Sequence, residues 1–195
     1  MAIAKTRTES ELALEKEQER AHEIALFRRF TSGDRQAFTE LYLRFRQRVF
    51  SYCLRMLGGN QAEAEDLYQE VFIRVYQRSH LFAEDKSLAG WIFTIAHNLC
   101  LNRIRDRRPT ETIDDYQFAA APGADFGEDW QARIQWALDQ VPTENREPFL
   151  LFEYQGLTYQ EIAETMKLTI PAVKSRIYRS REQLRTLLAP FYKEN

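Results

Sequence analysis

At 195 residues, with 29% charged and 44% hydrophobic side chains, the chain has room for one large or two small soluble globular domains. No stretch approaches the ~18 uninterrupted apolar residues of a membrane span, and the N-terminal MAIAKTRTESELALEKEQER lacks the apolar core of a signal peptide. The net charge of −2 argues against a protein that coats nucleic acid, so any DNA affinity must come from local patches.

In chain order, residues 3–23, within a charged N-terminal extension at 1–23, read as a frayed helix or a disordered lead-in. Ile24 to Phe30 form a helix ended by Thr31-Ser32-Gly33. Asp34 caps a long helix to about Leu57, with Phe38, Leu41, Tyr42, Phe45, Val49, Tyr52, Cys53 and Met56 on its buried side, and Gly58-Gly59 stops it. Asn60, with Glu63 three residues on, starts a helix through about Ser79 that buries Leu67, Val71 and Val75. A loop from Leu81 to Lys86 leads to a fourth helix, Ser87 to Arg107, with Leu88, Ile92, Ile95 and Leu99 as its apolar stripe. Cys53 and Cys100 lie inside apolar helical patterns without metal-ligand or CxxC spacing, which reads as reduced, buried thiols in a cytoplasmic protein.

Residues 109–129 carry no Lys or Arg against 6 Asp and Glu, whereas residues 1–108 carry 18 against 15 and residues 130–195 carry 9 against 8. An acidic linker therefore joins two nearly balanced blocks. After it, Trp130 to Gln140 and Thr143 to Tyr154 are helices, the second ended by Gly156.

Thr158-Tyr-Gln-Glu161 is a capping box, in which the Thr hydroxyl takes the Glu161 amide and the Glu carboxylate reaches back. Ile162, Ala163 and Met166 give the short helix after it an apolar face. Lys167-Leu168 is a tight connection, and Thr169 caps a second helix with Pro171 in its first turn, where a missing N–H is harmless. At about 100° per residue, Val173, Ile177, Leu184 and Leu188 share one stripe. Ser175, Tyr178, Arg179 and Glu182 lie opposite, flanked by Lys174, Arg176, Arg181 and Arg185. An apolar back, short hydrogen-bonding side chains and a cationic rim suit a helix that enters a major groove. The alternative is an ordinary amphipathic helix with a solvated charged face.

Three segments then resemble a known family. Ala64-Glu-Asp-Leu-Tyr-Gln-Glu-Val-Phe-Ile73, Ser87-Leu-Ala-Gly-Trp-Ile-Phe-Thr-Ile-Ala-His-Asn-Leu99 with Asn102-Arg103-Ile104-Arg105, and Leu157-Thr-Tyr-Gln-Glu-Ile-Ala163 with Ala172-Val-Lys-Ser-Arg-Ile-Tyr-Arg-Ser-Arg181 resemble runs of the extracytoplasmic-function sigma factors. These are the smallest class of the sigma-70 family of bacterial RNA polymerase subunits. The resemblance covers about residues 24–190. It implies an all-α fold of two small domains: a sigma-2-like four-helix domain at 24–108 that binds polymerase and the promoter's −10 element, and a sigma-4-like helix-turn-helix domain at 130–190 that reads the −35 element. A flexible acidic linker, 109–129, would join them. It also implies control by an anti-sigma factor, with no cofactor and no membrane insertion.

The resemblance further assigns Asp66, Gln69 and Glu70 to the clamp helices of polymerase's largest subunit, with Phe72 as the apolar anchor. The bland reading of the three polar residues is a solvated face. Phe82 to Lys86 corresponds to the loop that accepts a base flipped from the duplex, Asn98 matches a position near the −10 strand, and the basic run Arg103, Arg105, Arg107, Arg108 suits phosphates. In the second domain, Ser175, Tyr178 and Arg179 would reach base edges, while Lys174, Arg176 and Arg181 would meet phosphates. Trp91 and Phe93 read as core. Ala89, Thr94 and His97 stand where the family often carries Arg, and Pro148 where it carries an aliphatic residue, so a local bend is expected there.

Unstacking costs about 1.4 kcal/mol per base-pair step, so a bubble of about ten steps costs roughly 14 kcal/mol. One or two captured bases return about 1–3 kcal/mol each, so DNA opening is expected to require the polymerase. A stand-alone helix-turn-helix regulator is the second reading. An enzyme is the third, because His22, His80 and His97 show no pairing with acids or cysteines at ligand spacing.

Overall fold

Asp34 starts the helix around which the first half is built: its carboxylate accepts from the backbone N–H groups of Gln36 at 2.9 Å and Ala37 at 3.2 Å. Arg29 holds that carboxylate at 2.7 Å, and its guanidinium keeps the Asp34 pKa below the usual range. A computed structural model describes residues 9–107 and 129–192 of the chain. The expected linker falls almost entirely outside the described residues.

The first half comprises α1 (Glu9–Thr31), α2 (Arg35–Met56), α3 (Gln61–Gln77), a 3-10 turn (Ser79–Leu81) and α4 (Leu88–Arg107). Ala37, Leu41, Phe45, Val49, Tyr52, Cys53 and Met56 run down the buried side of α2 at helical spacing. Gly58 and Gly59, with φ of 69° and 77°, turn the chain, and the Asn60 side chain caps α3 by accepting from the Glu63 N–H. Cys53 and Cys100 bring α2 and α4 together with their sulfurs 4.0 Å apart, and burial pushes the Cys100 thiol well above its ordinary pKa. Neither forms a disulfide.

Two elements go beyond the expectation. Of the two readings of the lead-in the structure has the helix, continuous with that of Ile24 and beginning at Glu9, and Glu19 and Glu23 tie it to Arg44 on α2, at 2.5 Å and 3.3 Å. Tertiary ion pairs extend a segment with no apolar stripe of its own. In α4, burial reaches well beyond the expected stripe: from Ile92 to Cys100 only Asn98 is exposed. The reason is that α4 packs on α3 and α2 on one side and on a helix of the second half on the other.

The second half comprises α5 (Trp130–Gln140), α6 (Thr143–Glu153), α7 (Tyr159–Met166) and α8 (Ile170–Tyr192). Leu138, Leu150, Leu151, Ile162, Val173 and Ile177 fill its core at 0–1% exposure. Pro148 lies inside α6 without ending it. Lacking an N–H, Pro148 leaves the Glu144 carbonyl without its usual helical partner, and Arg176 of α8 points at that oxygen from 3.4 Å. The two halves rest on one another, α4 against α7 and α2 against α6. Among the described residues there is no strand, and no helix is long and apolar enough to cross a membrane.

Candidate functional site

The α3 face is formed by turning Leu67, Val71, Phe72 and Val75 inward. Asp66 and Gln69 are then exposed, and Glu70 is half-exposed in an i,i+4 pair with Arg74 at 2.5 Å. Phe72 does not belong to this surface. It is 4% exposed, with its ring 4.9 Å edge-on from Tyr42, because its place in the helical repeat points toward α2. The exposed apolar residues beside the acidic positions are Ile73 and Tyr76.

The loop before α4 is anchored rather than open at its first residue. Phe82 is buried, 4.7 Å from the Phe27 ring and 5.4 Å from Trp91. In this conformation Phe82 therefore supports the loop and offers no free face for a base. Trp91 is half-buried and packs against the core, and Phe93 lies within it. Lys86 is exposed, but its Nζ lies 3.0 Å from Glu164 on α7, which raises the Lys86 pKa. Asn98 is exposed on α4 and donates to the Thr94 carbonyl at 2.8 Å. Arg103 is half-buried and Arg105 exposed, its Nη2 donating to Asn102 at 3.0 Å. The Arg107 side chain and Arg108 lie outside the described residues.

The helix-turn-helix forms as its capping chemistry dictates. The Glu161 N–H donates to Thr158 Oγ1 at 3.2 Å, and the Thr158 N–H donates to the Glu161 carboxylate at 2.7 Å. Lys167 ends α7 with φ 55°, a left-handed conformation that costs a non-glycine residue energy, and its N–H returns to the α7 carbonyls. Helix α8 then starts with Thr169 Oγ1 accepting from the Ala172 N–H at 3.4 Å. Val173, Ile177 and Leu184 are buried, and Lys174, Ser175, Tyr178 and Arg179 are exposed, Tyr178 at 64%. Lys174 sits 5.3 Å over the Tyr159 ring. Arg176 and Arg181 are differently placed: Arg176 is half-buried toward Glu144, and Arg181 pairs with Glu153 at 2.5 Å. A phosphate would have to compete with those partners.

A buried polar group joins the halves, and sequence reasoning missed it. Glu147 of α6 is 1% exposed; its carboxylate accepts from the Tyr52 hydroxyl at 2.5 Å and is hydrogen-bonded to His97 Nδ1. Burial, then the Glu147 charge, pushes the Tyr52 phenol well above its ordinary pKa, so it stays protonated and donates. Beside it, Arg146 donates to the Met56 carbonyl at 3.3 Å and to Asp139 at 3.0 Å. Thr94 and Ala89 face the same boundary: Thr94 Oγ1 contacts Thr165 Oγ1 at 3.3 Å, and Ala89 lines a cleft of about 350 Å³ with Glu153 and Leu157. His97 thus has an acidic partner after all, 50 residues away, where spacing could not show it. Among the described residues no cluster of three or more His, Cys, Asp or Glu could hold a metal.

The described residues thus form two helical bodies, one with an acidic helix face and the other with an exposed, cation-flanked helix-turn-helix, the class of motif that enters a DNA groove. Residues 41–110 match Sigma-70 region 2 and residues 131–184 match Sigma-70, region 4. The chain is 30% identical over 184 residues to the RNA polymerase sigma-H factor of Pseudomonas aeruginosa, covering 87% of this chain and 95% of the relative. It is 32% identical over 171 residues to the ECF RNA polymerase sigma factor SigW of Bacillus subtilis, covering 80% and 91%. Two solved structures share the fold. CnrH bound to the cytosolic domain of CnrY matches with a TM-score of 0.67 at 22% identity, over 86% of this chain and 97% of that one. RpoE bound to the anti-sigma factor NepR, from Bartonella quintana, matches with 0.64 at 23%, over 78% and 96%. The chain belongs to the extracytoplasmic-function sigma factors of the sigma-70 family.

Proposed function

We propose that the chain acts in the cytoplasm as a promoter-specificity subunit, without cofactor or catalytic step of its own, and that an anti-sigma protein holds it inactive. Asp66, Gln69 and Glu70, with Ile73 and Tyr76, dock on core polymerase. Lys86, Asn98, Arg103 and Arg105 approach the −10 strand, and α8 reads the −35 element. The observation that carries this reading is the orientation of α8, which buries Val173 and Ile177 and leaves Lys174, Ser175, Tyr178 and Arg179 to solvent. The relative RpoE, solved with its anti-sigma factor, supports the control step.

Run-off transcription with core polymerase on genomic fragments tests the function. Specific starts that appear only when both proteins are present are expected. Starts without the chain, or operator binding that no polymerase alters, would favour a stand-alone regulator.

Within α8, Arg179→Ala is expected to cost about 1–3 kcal/mol and to relax choice at one base position. Lys174→Ala is expected to weaken binding to all promoters alike and to reduce the salt slope by about one unit. Titrations over a set of single-base promoter variants at several salt concentrations measure both. Equal losses on every sequence for the two variants contradict this division.

A further inference from the structure

We propose that the stacked rings of Phe152 and Tyr159 are a pedestal for DNA binding: they hold the Lys174 ammonium of α8 ready for a promoter phosphate, while Arg181, tied to Glu153, secures the other end of the stack. The inference rests on the promoter-reading function above and deepens it, naming positioning residues that act on DNA through another side chain.

Four side chains from three helices form one row. The Phe152 ring of α6 and the Tyr159 ring of α7 are stacked, with centroids 4.6 Å apart and an interplanar angle of 10°. Lys174 Nζ sits 5.3 Å over the Tyr159 ring and Arg181 Cζ 5.6 Å over the Phe152 ring, both inside the roughly 6 Å over which a ring face attracts a cation. Lys174 and Arg181 both belong to α8 and are separated by about two turns, so they leave the helix on the same side. The gap between the rings leaves no room for a cation, which puts the two charges on the outer faces.

The two ends of the row differ. Arg181 is occupied: its Nε and Nη2 both donate to one Glu153 carboxylate oxygen, at 2.9 Å and 2.5 Å. That pair is locally neutral and anchors the Phe152 end. Lys174 is exposed and, among the described residues, makes no ion pair, so the Tyr159 ring is what holds it. An ammonium on a flexible four-carbon stem loses rotamer freedom when it docks on a phosphate. A ring beneath it removes part of that freedom beforehand, so less is lost on binding. The row thus delivers one free cation and keeps the second as an abutment.

Two measurements test this. Proton NMR of the free full-length chain reads the pedestal itself: the Tyr159 ring current should move the Lys174 ε-methylene protons upfield, a shift that Tyr159→Phe keeps and Tyr159→Leu abolishes. Binding is read with holoenzyme made from core polymerase and the full-length chain, on a genomic fragment that gives a specific start in run-off transcription. Tyr159→Leu is expected to weaken binding about two- to fivefold, alike on every promoter variant. Tyr159→Phe, which keeps the ring and lacks the hydroxyl, should bind as wild type. In a Lys174→Ala background, Tyr159→Leu should cost nothing further. The double variant Glu153→Gln, Arg181→Gln removes the ion pair at constant net charge and should leave the salt slope unchanged.

An absent ring-current shift in the wild type overturns the pedestal, as does an equal loss from Tyr159→Leu with and without Lys174. A Tyr159→Phe loss as large as that of Tyr159→Leu overturns it too, assigning the effect to the hydroxyl. A salt slope lower by about one unit in the double variant makes Arg181 a phosphate contact and overturns its role as abutment. Polymerase-dependent starts accompanied by any of these results mark the failure of the pedestal alone; no such start on any fragment marks the failure of the promoter reading, and the inference falls with it.

Discussion

Glu70→Lys is expected to abolish assembly with core polymerase while the chain remains folded. Glu70 lies on the solvent side of α3, one residue before the buried pair Val71 and Phe72, and its only described ion-pair partner is Arg74, four residues on. Reversal turns that exposed attraction into a repulsion of a few tenths of a kcal/mol, small beside the 5–15 kcal/mol, roughly, that holds a domain together. At a docking interface the same change opposes charge to charge at a position of hot-spot kind, where losses of about 2–4 kcal/mol correspond to roughly 30- to 1000-fold in affinity. Thermal melting by circular dichroism should therefore move little, while a core-polymerase pull-down should be lost. Normal retention of polymerase by the variant would remove α3 from the interface.

Ile177→Asp is expected to unfold the second domain and eliminate −35-dependent transcription. Ile177 is 1% exposed at the centre of the α8 stripe, between Val173 and Leu184 and against α6. A carboxylate there must be desolvated without a partner or protonated. Either costs several kcal/mol, a large share of what a domain this small possesses. One position along, Tyr178 is 64% exposed, and Tyr178→Ala should change stability by no more than about 0.5 kcal/mol, so any loss of promoter selection in that variant reports contact with DNA. The comparison separates folding from reading. A cooperative wild-type-like melt of Ile177→Asp would show that the α8 stripe is not what supports the domain.

Much of this was legible in the sequence because it is local. Asp34, Asn60 and Thr158 cap the helices they precede, and Val173, Ile177 and Leu184 recur at a period that puts them on one face whatever lies opposite. The exposed face of α8 followed, since its residues are those the stripe leaves over. The burial of individual aromatics did not follow. The resemblance gave Phe72 and Phe82 roles at surfaces, yet Tyr42, Phe27 and Trp91, brought from other helices, pack against them.

The sequence by itself determined the helices, their caps, the acidic break between two balanced blocks and the face that α8 presents, because each depends on side chains within a few residues of one another. Only the tertiary structure decided that those blocks close on each other. Tyr52 and Glu147 are 95 residues apart, His97 and Glu147 are 50 apart, and no periodicity connects them. A glutamate on a short helix reads as solvated until the fold supplies a hydroxyl and an imidazole from a different domain. The long start of α1 has the same origin: Glu19 and Glu23 gain helical order from Arg44 on α2, a partner that chain order cannot indicate.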